Sequence, residues 1–295
     1  VAQVENDKYC RRVLKHHWPE VPYYADIREF SGSEWRGIDI ISGGFPCQDL
    51  SISGRREGLA GARSGLFFEM CRVVDEVQPR IVIWENVPGL LNADEGGAMA
   101  TVLGALADIG YSGCWTVLDS QFFGVPQRRR RVFGAFAHRS VGGWACGAAV
   151  LLEPEGGGWD PSKGRETGTK VAECANTCSG GSGRNRRQVA FVPRIAYTCT
   201  ARDGKGVNLR ECTNTLVAVD GVRRLTPLEH ERLQSFPDGW TDVGGMSDIQ
   251  RYRQIGNAVT VNVAYWIGLR IVATLSTEAD NTIERLDIEE EASGK

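Results

Sequence analysis

Apolar positions follow two rhythms along this chain. From Leu66 they fall at 66, 70, 73, 74 and 77, a helical stripe that Pro79 closes. Ile38-Asp39-Ile40-Ile41-Ser42, stopped by Gly43-Gly44, and Arg80-Ile81-Val82-Ile83-Trp84, stopped by Glu85-Asn86-Val87-Pro88-Gly89, are short β-branched runs of the kind that form buried strands. A helix over 97–109 and strands over 114–118 and 131–136 continue the alternation, and a polar helix over 7–17, ended by Pro19 and Pro22, precedes it. The pattern predicts an α/β fold built on a parallel, doubly wound sheet, in which ligands bind at the carboxyl edge of the strands.

Between 140 and 222 the periodicity fails, and Gly, Ser, Thr, Asn and Arg dominate. This stretch reads as a small loop-rich lobe with short strands. Thr226-Pro227-Leu228-Glu229 then forms a capping box with proline at the first helical position, and Pro237-Asp238-Gly239 supplies a turn. A last helix carries apolar residues at 259, 263, 266, 267, 271 and 275. The predicted division is a main domain over 1–139, the lobe over 140–222, a return to the main domain over 223–277, and an acidic, solvated tail over 278–295. The opening Val1-Ala2-Gln3-Val4-Glu5 reads as a chain entering its fold partway through.

Composition narrows the classes. The chain has 295 residues, 42% hydrophobic and 24% charged, enough for a substantial core. No apolar run approaches the roughly 20 residues that span a bilayer, and no export signal opens the chain, so a cytoplasmic protein without a membrane partner is expected. Nine cysteines at irregular spacings fit reduced thiols better than a disulfide framework. The formal net charge of −3 is unevenly spread: 278–295 carries −5 and the remainder +2, with its basic residues clustered. An anionic partner therefore remains open.

Two groups stand at the predicted strand edge: Cys47, within Gly43-Gly44-Phe45-Pro46-Cys47-Gln48, and Glu85. A right-handed crossover brings a thiol and a carboxylate to one ligand, the pairing a thiolate nucleophile and an activating acid need. Gln127-Arg128-Arg129-Arg130-Arg131 opens a strand, so alternation sends Arg129 and Arg131 to one face and Arg128 and Arg130 to the other. Four such arginines call for an anionic partner.

In this order, Gly44-Phe45-Pro46-Cys47-Gln48, Glu85-Asn86-Val87, Gln127 to Arg131, and Gln254-Ile255-Gly256-Asn257-Ala258-Val259 resemble the ordered motifs of DNA cytosine-5 methyltransferases, from Glu5 to about Leu275. The resemblance implies a Rossmann-like, S-adenosylmethionine-dependent methyltransferase fold with a target-recognition lobe over 140–222. It implies that Cys47 attacks C6 of a flipped cytosine, that Glu85 engages N3 and the exocyclic amine, that Arg129 holds O2, and that Arg131 shares the catalytic face. For the cofactor it implies Glu5 and Asn6 at the ribose, Asp26 and Ile27 at adenine, Pro46 and Leu66 in the pocket wall, and Asn257 and Val259 from the last motif. Double-stranded DNA is the implied partner of a monomer, met by Gln48, Ser51 and Arg55 of a mobile loop, by Gln127, and by Arg184, Arg186 and Arg187 of the lobe.

The family's first motif, a strand followed by a Phe-x-Gly-x-Gly turn, is absent from this chain, so an N-terminal segment is expected to be needed, either from further upstream in the same gene or from a separate polypeptide. Two other readings stay open: an RNA cytosine methyltransferase on the same fold, and a DNA-binding remnant without activity. Zinc binding by Cys174, Cys178, Cys199 and Cys212 is disfavoured by their spacing, and no metal is expected.

Overall fold

The computed structural model of the chain describes residues 1–46, 65–152, 216–218 and 222–293. Its elements are β1 (Gln3–Val4), α1 (Lys8–His17), β2 (Tyr23–Tyr24), β3 (Ile40–Gly44), α2 (Leu66–Val77), β4 (Ile81–Asn86), α3 (Gly97–Asp108), β5 (Tyr111–Asp119), β6 (Arg130–His138), α4 (Trp144–Leu151), β7 (Leu216–Ala218), β8 (Val222–Arg224), α5 (Pro227–Leu233), α6 (Asp248–Asn257) and α7 (Val261–Ser293). They fall into two compact units. The first comprises Val1–Ala25, Leu118–Arg130 and Gly158–Ala264, the second Asp26–Val117, Arg131–Gly157 and Tyr265–Lys295. This interleaving follows contact in space.

The second unit is built on a sheet of order β3-β4-β6-β5. Residues 81–84 of β4 are all buried, as a strand covered on both faces requires. Trp84, Phe45, Phe67, Met70, Val74, Leu90, Val102 and Phe136 belong to one apolar cluster with the inward stripes of α2 and α3. Trp84 needs the room that Gly134 leaves opposite it in the register: a Cβ there would lie 2.1 Å from the indole. Gly147 of α4 approaches β6 as closely, its Cβ position being 2.3 Å from the Ala135 carbonyl oxygen and 3.0 Å from Cα of Gly113.

Three expectations about this unit are corrected. β3 and β4 run parallel, but β4 and β6 are antiparallel. The ten residues between β5 and β6 are too few for the crossover that a parallel neighbour needs, so the chain turns back. Gly43 and Gly44 do not stop β3; they pair with Trp84 and Glu85, which makes Glu85 a strand residue too. The glycines serve close approach, since a Cβ on Gly43 would meet Sδ of Met70 at 3.2 Å and one on Gly44 would meet the Glu85 carboxylate at 3.4 Å. Finally, α4 stands where irregular chain was expected, and α7 continues through the acidic stretch to Ser293, with no Gly or Pro between Gly268 and Gly294 to break it.

Among its described residues the first unit has little sheet. β1 and β2 form a two-residue parallel pair, and β7 and β8 a short antiparallel one. Its order comes from caps and buried hydrogen bonds. Asp7 caps α1 by accepting from the amides of Tyr9 and Cys10, and the predicted Thr226/Glu229 capping box opens α5. The fully buried Glu231 carboxylate accepts from the amides of Gly239 and Thr241 (both 2.8 Å) and from the Thr241 hydroxyl, with the Arg251 guanidinium 3.2 Å away. α6 carries no clear apolar period and escaped the sequence reading, because its buried positions mix Tyr252 and Ile255 with Gln254 and Gly256.

One stretch, 248–277, is by length and composition apolar enough to cross a membrane, contrary to the sequence expectation. It is not one helix: the chain leaves helical geometry between Asn257 and Val261. Tyr252, Ile255, Val263, Ile267 and Ile271 within it are buried in the protein.

Candidate active site

In the second unit the ends of β3 and β4 lie side by side and are tied by one side chain. Asn86, 4% exposed, donates from Nδ2 to the Phe45 carbonyl oxygen (2.8 Å) and accepts from the Val87 amide at Oδ1 (2.8 Å). Phe45 is fixed from its other side by the rings of Phe67 and Trp84, with centroids 4.6 and 6.0 Å away. The backbone that leads through Pro46 into Cys47 is thus set by Asn86, which the sequence reading quoted within a motif but gave no role. Pro46 is exposed and Leu66 half-buried. Cys47, Gln48, Ser51 and Arg55 lie outside the described residues, as do Arg184, Arg186 and Arg187.

Beside this edge Glu85 meets Arg131. Nε of Arg131 is 3.0 Å from Oε1 of Glu85, and the side chains are 15% and 19% exposed, respectively. The pairing follows from register: Glu85 faces Phe133 across the ladder, and Arg131 lies two residues earlier on that same face of β6. Burial pushes the Arg131 guanidinium below its ordinary value, and the Glu85 charge opposes that shift. A half-buried, oriented ion pair of this kind can hold a polar heterocycle by donor and acceptor at once.

Exposure alternates along the arginine run as the extended backbone requires. Arg128 and Arg130 are exposed, Gln127 and Arg129 are buried, and Arg131 is intermediate. Two of the expected site residues lie deep. Gln127 is fully buried. Arg129 is 1% exposed: its amide donates to Asp119 (2.9 Å), and Nη2 donates to the carbonyl oxygens of Gly256 (3.0 Å) and Ala258 (2.6 Å). Arg131, two residues on, is the one that reaches Glu85.

The residues expected at a cofactor distribute between the units. In the first, Glu5 is half-buried and accepts from the Asp7 amide at Oε1 (2.7 Å), Asn6 and Asn257 are exposed, and Val259 is half-buried. In the second, Ile27 is half-buried, and Asp26 is bound by the Arg28 guanidinium, whose hydrogen bonds hold the carboxyl below the usual range. Within the first unit alone, the Glu5 carboxylate, the Asn6 and Asn257 amides and the apolar Val259 are the kinds of group that a charged nucleoside takes. The described thiols offer no competing nucleophile among Cys10, Cys71 and Cys114. Burial pushes Cys71 up to about 12, burial with Glu5 and Asp7 pushes Cys10 up to about 12, and burial raises Cys114. Among the described residues no group of three or more His, Cys, Asp or Glu could hold a metal.

Comparison with known proteins bears on the family and the fold. The Type II methyltransferase M.Eco47II of Escherichia coli is 29% identical over 305 residues, covering 92% of this chain and 73% of that protein. M.HpaII of Haemophilus parainfluenzae is 29% identical over 312 residues, covering 94% and 84%. Among solved structures, the Dnmt2 methyltransferase of S. pombe superposes with a TM-score of 0.65 at 15% identity, over 93% of this chain and 91% of that one, a likeness of fold alone. A putative prophage DNA modification methyltransferase of E. coli superposes at 0.57 with 20% identity, over 94% and 93%. The fold is therefore the Rossmann-like one of S-adenosylmethionine-dependent methyltransferases. Residues 1–141 and 162–273 match the family model of C-5 cytosine-specific DNA methylases, and with most of its length inside that match the chain belongs to this family.

Proposed function

We propose that this protein methylates C5 of cytosine in double-stranded DNA, acting as a cytoplasmic monomer, with Cys47 as covalent nucleophile and S-adenosylmethionine as methyl donor. One observation carries the reading: the Glu85–Arg131 pair stands at the strand edge whose neighbour, held by Asn86, leads directly into Cys47. A carboxylate and a guanidinium beside a chain that presents a thiol are what addition to a cytosine ring requires.

In the proposed sequence the Cys47 thiolate adds to C6, and electron density moves through the ring toward N3 and O2. Glu85 accepts from the exocyclic amine and shares a proton with N3, which makes the addition feasible. Arg131 fixes the Glu85 carboxylate and donates to O2. This contact is assigned to Arg131 in place of Arg129, because Arg129 is committed to backbone carbonyls. S-adenosylmethionine, when bound, supplies the methyl group that C5 accepts. Loss of the C5 proton to a base then re-forms the C5–C6 double bond and releases the Cys47 sulfur.

Glu5, Asn6, Asp26, Ile27, Pro46, Leu66, Asn257 and Val259 are the residues proposed to hold the cofactor. A stacked duplex offers no access to C6, so the base is flipped, and residues 48–63 are proposed to close over it. Target readout is assigned to the lobe over 140–222. Duplex DNA is preferred over RNA because the matching family is one of DNA methylases.

Trapping with duplex DNA carrying 5-fluorocytosine tests the reading, since fluorine at C5 blocks the final elimination. The parent protein should form a covalent adduct that survives denaturation, and Cys47→Ser should bind the duplex without forming one. An adduct in the variant overturns the assignment of the nucleophile. A protein that labels transfer RNA and not the duplex overturns the substrate.

A further inference from the structure

Within the first unit, two turns carry residues proposed for the cofactor: Glu5–Asn6 after β1, and Asn257–Val259 after α6. Each is gripped by one arginine from another part of the chain. Arg11 of α1 reaches back and donates from Nη1 to the carbonyl oxygens of Glu5 (2.7 Å) and Asn6 (2.8 Å). Arg129 donates from Nη2 to the carbonyl oxygens of Gly256 and Ala258, the residues on either side of Asn257. In both places regular backbone pairing is running out: Glu5 and Asn6 follow the end of β1, Gly256 lies in the last turn of α6, and Ala258 caps it.

A guanidinium suits this task. Its donors are fixed in one plane and its charge is permanent, so it holds two carbonyls at a set separation and shortens both hydrogen bonds. The guanidinium hydrogen bonds just described end on main-chain carbonyls, so they define main-chain geometry and with it the direction in which the neighbouring side chains leave. The two turns are also linked. The Asp7 amide donates to the Glu5 carboxylate, and Asp7 lies 3.5 Å from the Arg253 guanidinium of α6, the helix that ends at Asn257. The second unit uses the same device at its own candidate segment, where Nη2 of Arg72 donates to the carbonyl oxygens of Ile27 (2.6 Å) and Phe30 (3.0 Å).

We infer that Arg11 and Arg129 are positioning residues for the cofactor, pre-setting the backbone from which Glu5, Asn6, Asn257 and Val259 meet it. The inference rests on the proposed cofactor role of those four residues, and it gives Arg129 a task distinct from that of Arg131. Turns held in the bound geometry before the ligand arrives lose less freedom on binding, so removing a clamp should weaken affinity without removing any contact to the ligand.

The test is equilibrium dialysis of labelled S-adenosylmethionine against the full chain, with duplex-DNA affinity and thermal unfolding measured on the same samples. Arg11→Ala should raise the cofactor Kd about tenfold or more. Its duplex affinity should not change, and its melting temperature should stay within a few degrees of the parent. The KM for the cofactor should rise more than kcat falls, and Arg11→Lys should recover part of the loss. Arg129→Lys, which keeps the charge in the buried site, should show the same split more steeply. Glu5→Ala serves as the direct-contact control. If Glu5→Ala weakens uptake while Arg11→Ala does not, the clamp inference is overturned and the cofactor reading stands. If the Arg11→Ala losses in cofactor and DNA affinity merely track a fall in melting temperature, the arginine is structural and the inference is again overturned. If neither Glu5→Ala nor Asn257→Ala changes uptake, the reading beneath it fails.

Discussion

The two units solve the problem of a buried interior by opposite means. Of the eleven polar or charged residues buried among the described ones, ten belong to the first unit: Asp119, Ser120, Gln127, Arg129, His230, Glu231, Gln234, Thr241, Gln254 and Thr260. The second unit contributes only Asn86, and it contains the whole apolar cluster around Trp84. An apolar interior is held by volume and area; a polar one is held by the completeness of its hydrogen bonds. The second kind defines directions more sharply, because a donor without its acceptor costs more than a slightly misplaced methyl.

The difference can be broken first where volume rules. Trp84→Ala should cost about 3–5 kcal/mol in urea unfolding, since the indole is fully buried between Phe45 and Phe136. A loss under about 1 kcal/mol would mean that the sheet is not the stabilising centre of its unit. Volume-conserving changes sharpen the contrast. Glu231→Gln keeps the shape but removes the charge facing Arg251 and one acceptor of a satisfied set, and should cost about 3 kcal/mol. Met70→Leu, the equivalent swap in the apolar cluster, should cost less than about 1.5 kcal/mol. Equal losses in the two variants would erase the distinction.

This contrast also explains what could be read from the sequence. The second unit was legible because apolar burial writes itself as a period: α2 begins at Leu66 as expected, and the four buried apolar residues of β4 are a continuous run. The first unit was legible only at its caps and turns, such as Thr226/Glu229. A buried Gln or Thr carries no signal that separates it from a surface one, which is why α6 went unread. At the site, alternation correctly placed Arg129 and Arg131 on one side of their segment. Depth was beyond it: nothing in the spacing says that Arg129 ends on the carbonyls of Gly256 and Ala258 while Arg131 ends on Glu85. The exposed pair provides the smallest expected effect. Arg128→Ala should leave stability within about 0.5 kcal/mol and, if that face meets phosphate, flatten the salt dependence of duplex binding by about one unit of slope. A salt slope equal to the parent's would remove Arg128 from the DNA interface.

Helix α4 has a further mechanical meaning. Its Gly147 sits directly on the β6 backbone beside Gly113, with no side chain between, and Arg270 of α7 donates to the carbonyl oxygens of Ala149 (2.6 Å), Val150 (2.7 Å) and Leu152 at its far end. Leu152 is also where the chain departs toward the stretch over 153–215. A joint clamped in this way behaves as a stiff hinge pin: load arriving from downstream falls on three carbonyl contacts and a glycine seat before it can bend a strand. The end of α4 is thereby fixed to the sheet and to α7 at the last residue before that stretch, on the same strand, β6, that carries Arg131 of the Glu85–Arg131 pair.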